Sequence, residues 1–289
     1  MTKYLFLIPL YNDWRSLNFL LKKINAEIST KKRIAEVIIL NDASETKKTL
    51  SKKNLSSLKK INIINLKENL GSQKAISIGL EYISNLKTKS TIIVMDSDGE
   101  DDPSQINLMI DKAKKFPNHI IVSNRTKRKE ILIFRILYKI HLMLTFIFTG
   151  KWISFGNYSA FNIKNLQKLK KNNSTWYALS SGIIHNCDTK NVYAERKERF
   201  FDSSKVSFPS LFFHSLRVIS VFQKRVLLSS ILYAFILNFF YINFENNLAL
   251  LLIFFVILLN ISIAITKSIL KLKDFENKLD FIGNVNKVK

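Results

Sequence analysis

The stretch Thr91-Ile92-Ile93-Val94-Met95-Asp96-Ser97-Asp98-Gly99-Glu100-Asp101-Asp102-Pro103 passes without a linker from an apolar run into a loop crowded with carboxylates. A short, continuous apolar run of this kind fits a strand buried on both faces, as in a parallel sheet. Successive side chains of an extended chain alternate, so Asp96 and Asp98 leave the strand end on one side. Two hard oxygen donors so placed suit Mg²⁺ or Mn²⁺, and Glu100 is the candidate third ligand. Alone, such a pair also fits a solvated or helix-capping loop. It does not fit a twelve-residue calcium loop, which needs a later Glu.

Upstream, the chain alternates between two periods. Tyr4 to Ile8, Glu36 to Leu40 and Ile61 to Leu66 read as strands, and Ile120 to Ser123 adds a fifth beyond the acidic loop. Trp14 to Ile28, with Leu17, Leu20, Leu21 and Ile24 at helical spacing, and Lys74 to Leu86 read as helices. Strand and helix in turn predict an α/β domain with a mostly parallel sheet flanked by helices. Ligands of such sheets lie beyond the carboxyl ends of the strands. The polar turns Asn12-Asp13 and Asn41-Asp42 fall there, as does the Asp96/Asp98 loop.

Downstream, the character changes. Residues 130–149 are apolar but interrupted by Arg135, Lys139 and His141, and read as an amphipathic helix lying on a bilayer surface. Residues 206–225 have a similar character, and either segment also fits packing on the protein core. Val226 to Asn243 and Leu248 to Thr266 carry no charge and are long enough to cross a bilayer as a hairpin. Lys224 and Arg225 precede the pair and Lys267, Lys271 and Lys273 follow it, whereas the tip has Glu245 and no Lys or Arg. The positive-inside tendency then puts the N-terminal α/β domain and both termini in the cytoplasm. The expected organisation is residues 1–205 catalytic, 206–225 juxtamembrane, 226–266 a transmembrane hairpin, and 267–289 a polar cytoplasmic tail.

The net charge of +23, from 45 Lys and Arg against 22 Asp and Glu, attracts polyanions. With apolar segments in the same chain, anionic membrane lipids are the expected partner and nucleic acid is not. Cys187 is the single cysteine, so no intrachain disulfide forms. The histidines His119, His141, His185 and His214 lack metal-ligand spacing, and neither a nucleophile elbow nor a Walker loop is present.

Several motifs, in order, resemble family 2 glycosyltransferases. Ile8-Pro9-Leu10-Tyr11-Asn12-Asp13 is similar to the family's opening strand and loop, and Ile39-Leu40-Asn41-Asp42-Ala43-Ser44 to its second motif. Glu68-Asn69-Leu70-Gly71-Ser72-Gln73-Lys74-Ala75 is similar to its Asn-x-Gly helix entry, and Asp96/Asp98 falls at its metal-binding pair. Ser123-Asn124-Arg125, and the run Arg196 to Lys205, resemble elements of the polyprenyl-phosphate sugar transferase branch, with Asp202 in place of a Gly. The resemblance implies a GT-A type fold and an inverting transfer from a nucleotide-sugar donor, UDP- or GDP-linked. Pro9, Tyr11, Asp13, Asp42 and Lys74 would bind the nucleotide, and Asp96, Asp98 and Glu100 the Mg²⁺ or Mn²⁺. Arg125, Arg196, Arg199 and Lys205 would clamp phosphates. A homo-oligomer is compatible with hairpins of this kind.

The chain departs from that branch where a Gly-Asp-Phe-Arg-Leu segment is usual and Phe155-Gly156-Asn157-Tyr158-Ser159-Ala160 stands instead. Asn157 has no carboxylate to act as a base. A polyprenyl phosphate acceptor, already largely a dianion, needs none. A hydroxyl of a lipid-linked glycan would need one, with Asp101 and Asp102 as candidates. A non-catalytic membrane adaptor that keeps the fold is the reading from another class.

Overall fold

The computed structural model describes residues 4–46, 49–51, 53–86, 89–125, 132–201, 208–245, 247–271 and 277–289. The chain divides into two compact units. One comprises residues 1–129, 154–205 and 273–289, the other residues 130–153 and 206–272.

The first unit is built on a single mixed sheet. Its strands are β1 (Tyr4–Leu10), β2 (Ala35–Asn41), β3 (Leu58–Leu66), β4 (Thr91–Val94), β5 (Ile120–Arg125), β6 (Phe155–Phe161), β7 (Thr189–Ala194) and β8 (Ile282–Lys287). They lie in the order β7-β5-β6-β4-β1-β2-β3-β8. β1 pairs in parallel with both β2 and β4, β2 with β3, and β5 with β7. Only β6 and β8 run against the rest. The central strands are apolar on both faces, and β1 is buried along its whole length.

The connecting helices explain that burial. In α1 (Trp14–Thr30) the Asp13 side chain caps the first turn by accepting from the Ser16 N–H at 3.2 Å. Leu17, Leu20, Leu21, Ile24 and Ile28 then fall on one face and are fully buried. At roughly 1.5–3 kcal/mol for each such side chain, the stripe outweighs the weak intrinsic preferences of the sequence. In α2 (Ser72–Asn85), Gly79 lies against the sheet. A Cβ there would sit 2.5 Å from the Leu7 side chain, so the missing side chain sets how closely this helix approaches. A third helix, α3 (Ile106–Lys115), buries Ile106, Met109 and Ile110.

Between β1 and β4 the chain order reverses, and the two strands part. The Leu7 carbonyl accepts from the Met95 N–H, so residues 7 and 9 of β1 face β4. Pro9 has no N–H to continue that ladder, and the pairing with β4 ends at Leu7/Val94. The crevice opens where the proline stops the sheet.

Strands β1 to β5 lie where the sequence reading expects them. Strands β6, β7 and β8 were not anticipated. The segment expected as a polar tail instead returns and pairs β8 antiparallel with β3. An amide chain pins that register: Asn41 Nδ2 donates to Asn65 Oδ1 at 2.8 Å, and Asn65 Nδ2 to Asn284 Oδ1 at 2.6 Å. Four further helices complete the chain order before the second unit resumes: α4 (Leu132–Thr149), α5 (Ile163–Lys170), α6 (Ser174–Tyr177) and α7 (Leu179–Asn186), of which α4 belongs to the second unit.

In that second unit α4 is joined by α8 (Phe208–Ser220), α9 (Gln223–Phe244) and α10 (Asn247–Leu270). Phe148, Leu216, Ile219, Val226, Val256 and Ile263 form its core. Polar side chains tie the helices where apolar packing alone gives little direction. Tyr233 donates to the Ile147 carbonyl at 2.7 Å, and Asn260 Nδ2 to Ser230 Oγ at 2.7 Å. Three helices, α4, α9 and α10, are long and apolar enough to cross a membrane. The sequence reading names α9 and α10 as spans and α4 as a surface helix. With a mean hydropathy of 1.6, α4 is a third candidate by composition.

Candidate active site

A pocket opens over the carboxyl ends of β1, β2 and β4, at the point where the strand order reverses. Pro9, Leu10, Tyr11 and Asp13 line it from β1 and the loop after it, Asp42 from the turn after β2, and Ser72 from the start of α2. Asp96, Ser97 and Asp98 enter from the acidic loop, and Arg199 from the chain beyond β7. Tyr11 is 44% exposed, so its ring forms an open wall.

Each carboxylate has a different set of partners. Asp42 accepts from the backbone N–H groups of Leu70 and Gly71, both at 2.8 Å. It thereby holds the turn that launches α2, where Gly71 adopts φ +84°. Burial pushes the Asp42 carboxyl up, and those two N–H groups pull it back. Asp96 receives the Asn157 amide, Nδ2 to Oδ1, at 2.9 Å. Asp98 accepts from the Glu100 N–H at 3.0 Å. Its carboxyl is raised to about 6, first by burial and then by the charges of Asp96 and Glu100.

A basic strap, Arg196 to Phe201, accounts for most of the loop's remaining charge. Arg196 forms an ion pair with Glu100, and Lys197 with Asp102 at 3.5 Å. The Arg199 guanidinium reaches both Asp13 and Asp98, at 3.6 Å each. The backbone of the strap is sewn to the loop by the Lys197 N–H to the Glu100 carbonyl and the Phe200 N–H to the Asp98 carbonyl. Phe200 packs over Gly99, where a Cβ would sit 2.5 Å from its ring and where φ is +90°. Phe200 also meets Phe19 edge to face, and the Arg15 guanidinium lies 3.8 Å from the centroid of the Phe201 ring.

Pro9, Tyr11, Asp13, Asp42, Asp96, Asp98 and Arg199 therefore stand together. Other expected residues do not join them. Glu100 faces Arg196 instead of completing a three-carboxylate site, because a guanidinium compensates a half-buried carboxylate that Asp98 would repel. Among the described residues no group of three or more His, Cys, Asp or Glu side chains is placed to hold a metal ion. Lys74 lies with its ammonium 5.0 Å from the Trp176 ring centroid. Arg125 closes β5, and its side chain lies outside the described residues, as does Lys205. The two candidate bases have local duties. Asp101 is buried and accepts from the Asp96 N–H at 2.9 Å, and Asp102 caps the 3-10 turn at Pro103 through the Ser104 N–H.

Behind Asp96 stand two residues that the sequence does not mark as site residues: Asn157, which donates to Asp96, and Gln73, which donates to Asn157. In the sequence Asn157 reads only as a departure from a pattern, and Gln73 only as part of a helix entry. β6 pairs with β4 with Val94 opposite Ser159. Continued by two residues, that register sets Asn157 opposite Asp96. An antiparallel strand inserted beside β4 leaves no local signal in the sequence.

Comparison with known proteins bears on the family and the fold. An uncharacterized glycosyltransferase of Synechocystis is 29% identical over 125 residues, 43% of this chain and 38% of that one. Another from Bacillus subtilis is 27% identical over 128 residues, 44% of this chain and 38% of that one. These matches thus span less than two-fifths of the relatives' own length. Among solved structures, a mycobacterial protein superposes with a TM-score of 0.54 at 12% identity, over 78% of this chain and 75% of that one. Mannosyl-3-phosphoglycerate synthase from Rubrobacter xylanophilus gives 0.53 at 11% identity, over 78% and 74%. At such identities the likeness is one of fold, and the fold is GT-A-like. The model of the family described as Glycosyl transferase family 2 matches residues 6–186, which takes in β1 to β6 and every pocket carboxylate. The chain belongs to glycosyl transferase family 2, and its first unit is a glycosyltransferase domain of that family.

Proposed function

We propose that the protein is an inverting glycosyltransferase that moves a sugar from a UDP- or GDP-linked donor to a membrane polyprenyl phosphate. The observation that carries this reading is the grouping of Asp96, Asp98 and Arg199 over the strand ends, beside Tyr11, Asp13 and Asp42. Tyr11, Pro9, Asp13 and Asp42 would hold the nucleoside. The donor set fits a divalent cation. Two carboxylates face one pocket, and Asp98 is raised first by burial and then by the charges of Asp96 and Glu100, both of which a bound cation would offset. Asp96 and Asp98 would hold Mg²⁺ or Mn²⁺, whose chemistry when bound is to offset the charge of the departing diphosphate. Arg199 already bridges two carboxylates and would turn to the diphosphate, whose oxygens its planar fork pairs well.

In the reaction an acceptor oxygen attacks the anomeric carbon as the bond to the nucleoside diphosphate breaks. The residues expected as bases for a hydroxyl acceptor are not free for it: Asn157 is an amide, and Asp101 and Asp102 are engaged in the loop. That supports a phosphate nucleophile, which arrives ionised. The test is isotopic transfer from UDP- and GDP-sugars to a short-chain polyprenyl phosphate, using the full chain in membranes. Transfer lost in Asp96→Ala supports the reading. Transfer to glycan hydroxyls but never to the phosphate refutes the acceptor, and no transfer from any donor favours the adaptor.

The sheet also bears on the membrane path. β5 and β6 pair directly and flank α4 in the chain, so both ends of α4 lie on one side of any bilayer. β7 and β8 share the sheet and flank α8 to α10, so crossings between them come in even number. This supports a two-span hairpin of α9 and α10, with α4 as an interfacial helix and its basic neighbours on anionic lipid. The basic flanks favour the cytoplasmic side for the catalytic unit and both termini.

A further inference from the structure

Gln73 is 7% exposed and sits in the first turn of α2. Its Oε1 accepts from the Leu179 N–H at 2.8 Å, and its Nε2 donates to Asn157 Oδ1 at 3.0 Å. Asn157 Nδ2 in turn donates to Asp96 Oδ1 at 2.9 Å. The direction of this chain is not a matter of choice. A backbone N–H can only donate, so the Gln73 oxygen must face Leu179 and its NH₂ must face Asn157. The Asn157 oxygen must then face Gln73, which leaves its NH₂ for Asp96. At the other end a carboxylate can only accept, and it meets a donor. Both ends demand the same polarity.

We propose that Gln73 and Asn157 are positioning residues, a relay that fixes the amide of Asn157 so that Asp96 always receives an N–H and is held in one orientation for the donor's diphosphate. The assignment rests on the donor-binding reading above. It gives the amide at 157 a purpose. A carboxylate there could donate to Asp96 only when protonated, and would otherwise repel it. An amide held by Gln73 keeps a donor on Asp96 without adding charge, through one part-buried and one buried link running back to the start of α7. A charge-assisted hydrogen bond of this kind is worth more than a neutral one, and its direction matters as much as its presence.

The experiment uses the full chain in nanodiscs and has two arms. In the first, with EDTA present, urea unfolding is measured for Gln73→Leu, Asn157→Leu and the double variant. If the two act as one relay, each single change lowers the folding constant by about tenfold and the double by about the same tenfold, because the links fail together. Losses that multiply to about a hundredfold overturn the relay. In the second arm free Mn²⁺ is followed by electron paramagnetic resonance with UDP or with GDP present. Gln73→Glu keeps the acceptor for Leu179 but offers Asn157 an acceptor instead of a donor, so the amide turns and puts its oxygen against Asp96. Binding of Mn²⁺ with nucleotide is expected to weaken at least about tenfold. Unchanged binding in Gln73→Glu overturns the orienting role. A wild-type chain that shows the coupling but binds neither UDP nor GDP with Mn²⁺ supports the relay and removes the donor-binding reading instead.

Discussion

Asp98→Asn is expected to make the metal-free protein more stable while removing its activity. The Asp98 carboxyl titrates at about 6, against an ordinary 3.8, because it is buried beside Asp96 and Glu100. Each tenfold change in proton affinity is about 1.4 kcal/mol, so holding the charge in the folded state near pH 7.5 costs about 3 kcal/mol. The carboxylate is 18% exposed, which leaves little solvent screening to discount. Asparagine keeps an oxygen for the Glu100 N–H and loses the attraction of Arg199, so a net gain of about 1–3 kcal/mol remains. For a domain of this size that is a rise of about 2–10 °C in the melting midpoint.

The sign follows from linkage. Because the folded value lies above the unfolded one, the wild-type group supports folding below pH 3.8, and that support is lost as pH rises through about 6. The electrostatic advantage of Asp98→Asn should therefore be full at pH 7.5, fall to about a third at pH 4.5, and vanish below pH 3.8. Thermal unfolding in EDTA across that range measures it. A variant less stable than wild type at pH 7.5, or a gain that does not shrink on acidification, would refute the electrostatic reasoning.

Three further changes probe other parts of the site and its scaffold. Arg199→Lys keeps the charge but not the fork that spans Asp13 and Asp98, and transfer measured with labelled donor should fall by about tenfold or more. Gly99→Ala places a Cβ 2.5 Å from the Phe200 ring at φ +90°, and denaturant unfolding should show a loss of about 2–4 kcal/mol from overpacking and backbone strain together. Deleting residues 277–289 uncovers the edge of β3, and sedimentation should then show concentration-dependent aggregation that the full chain lacks.

The parts of the fold legible in the sequence are those with a local cause. β1 to β4 are short apolar runs, α1 carries a capped apolar stripe, and α9 and α10 each hold a long uncharged run. β6 and β8 escaped for a physical reason. Phe155-Gly156-Asn157-Tyr158-Ser159-Ala160-Phe161 has little strand pattern of its own and is a strand because β4 and β5 offer it open edges. Ile282 to Lys287 is mostly polar and is held by pairing and by the Asn65–Asn284 amide contact. α4 shows the converse. Its composition suits either crossing a bilayer or lying on one, and the distinction rests on which strands flank it, a fact of topology and not of hydropathy.

The acidic loop carries this furthest. Residues 96–102 hold five carboxylates, and spacing alone puts Asp96, Asp98 and Glu100 on one side. What separates them is the company each keeps. Glu100 and Asp102 are met by Arg196 and Lys197, whose own positions are fixed by backbone bonds between strap and loop. Asp101 turns inward to the Asp96 N–H. Asp96 is held by a neutral amide and Asp98 by an arginine shared with Asp13, and both face the pocket. Under the proposed donor binding, positive charge brought between these two carboxylates would relieve the burial and repulsion that raise the Asp98 carboxyl.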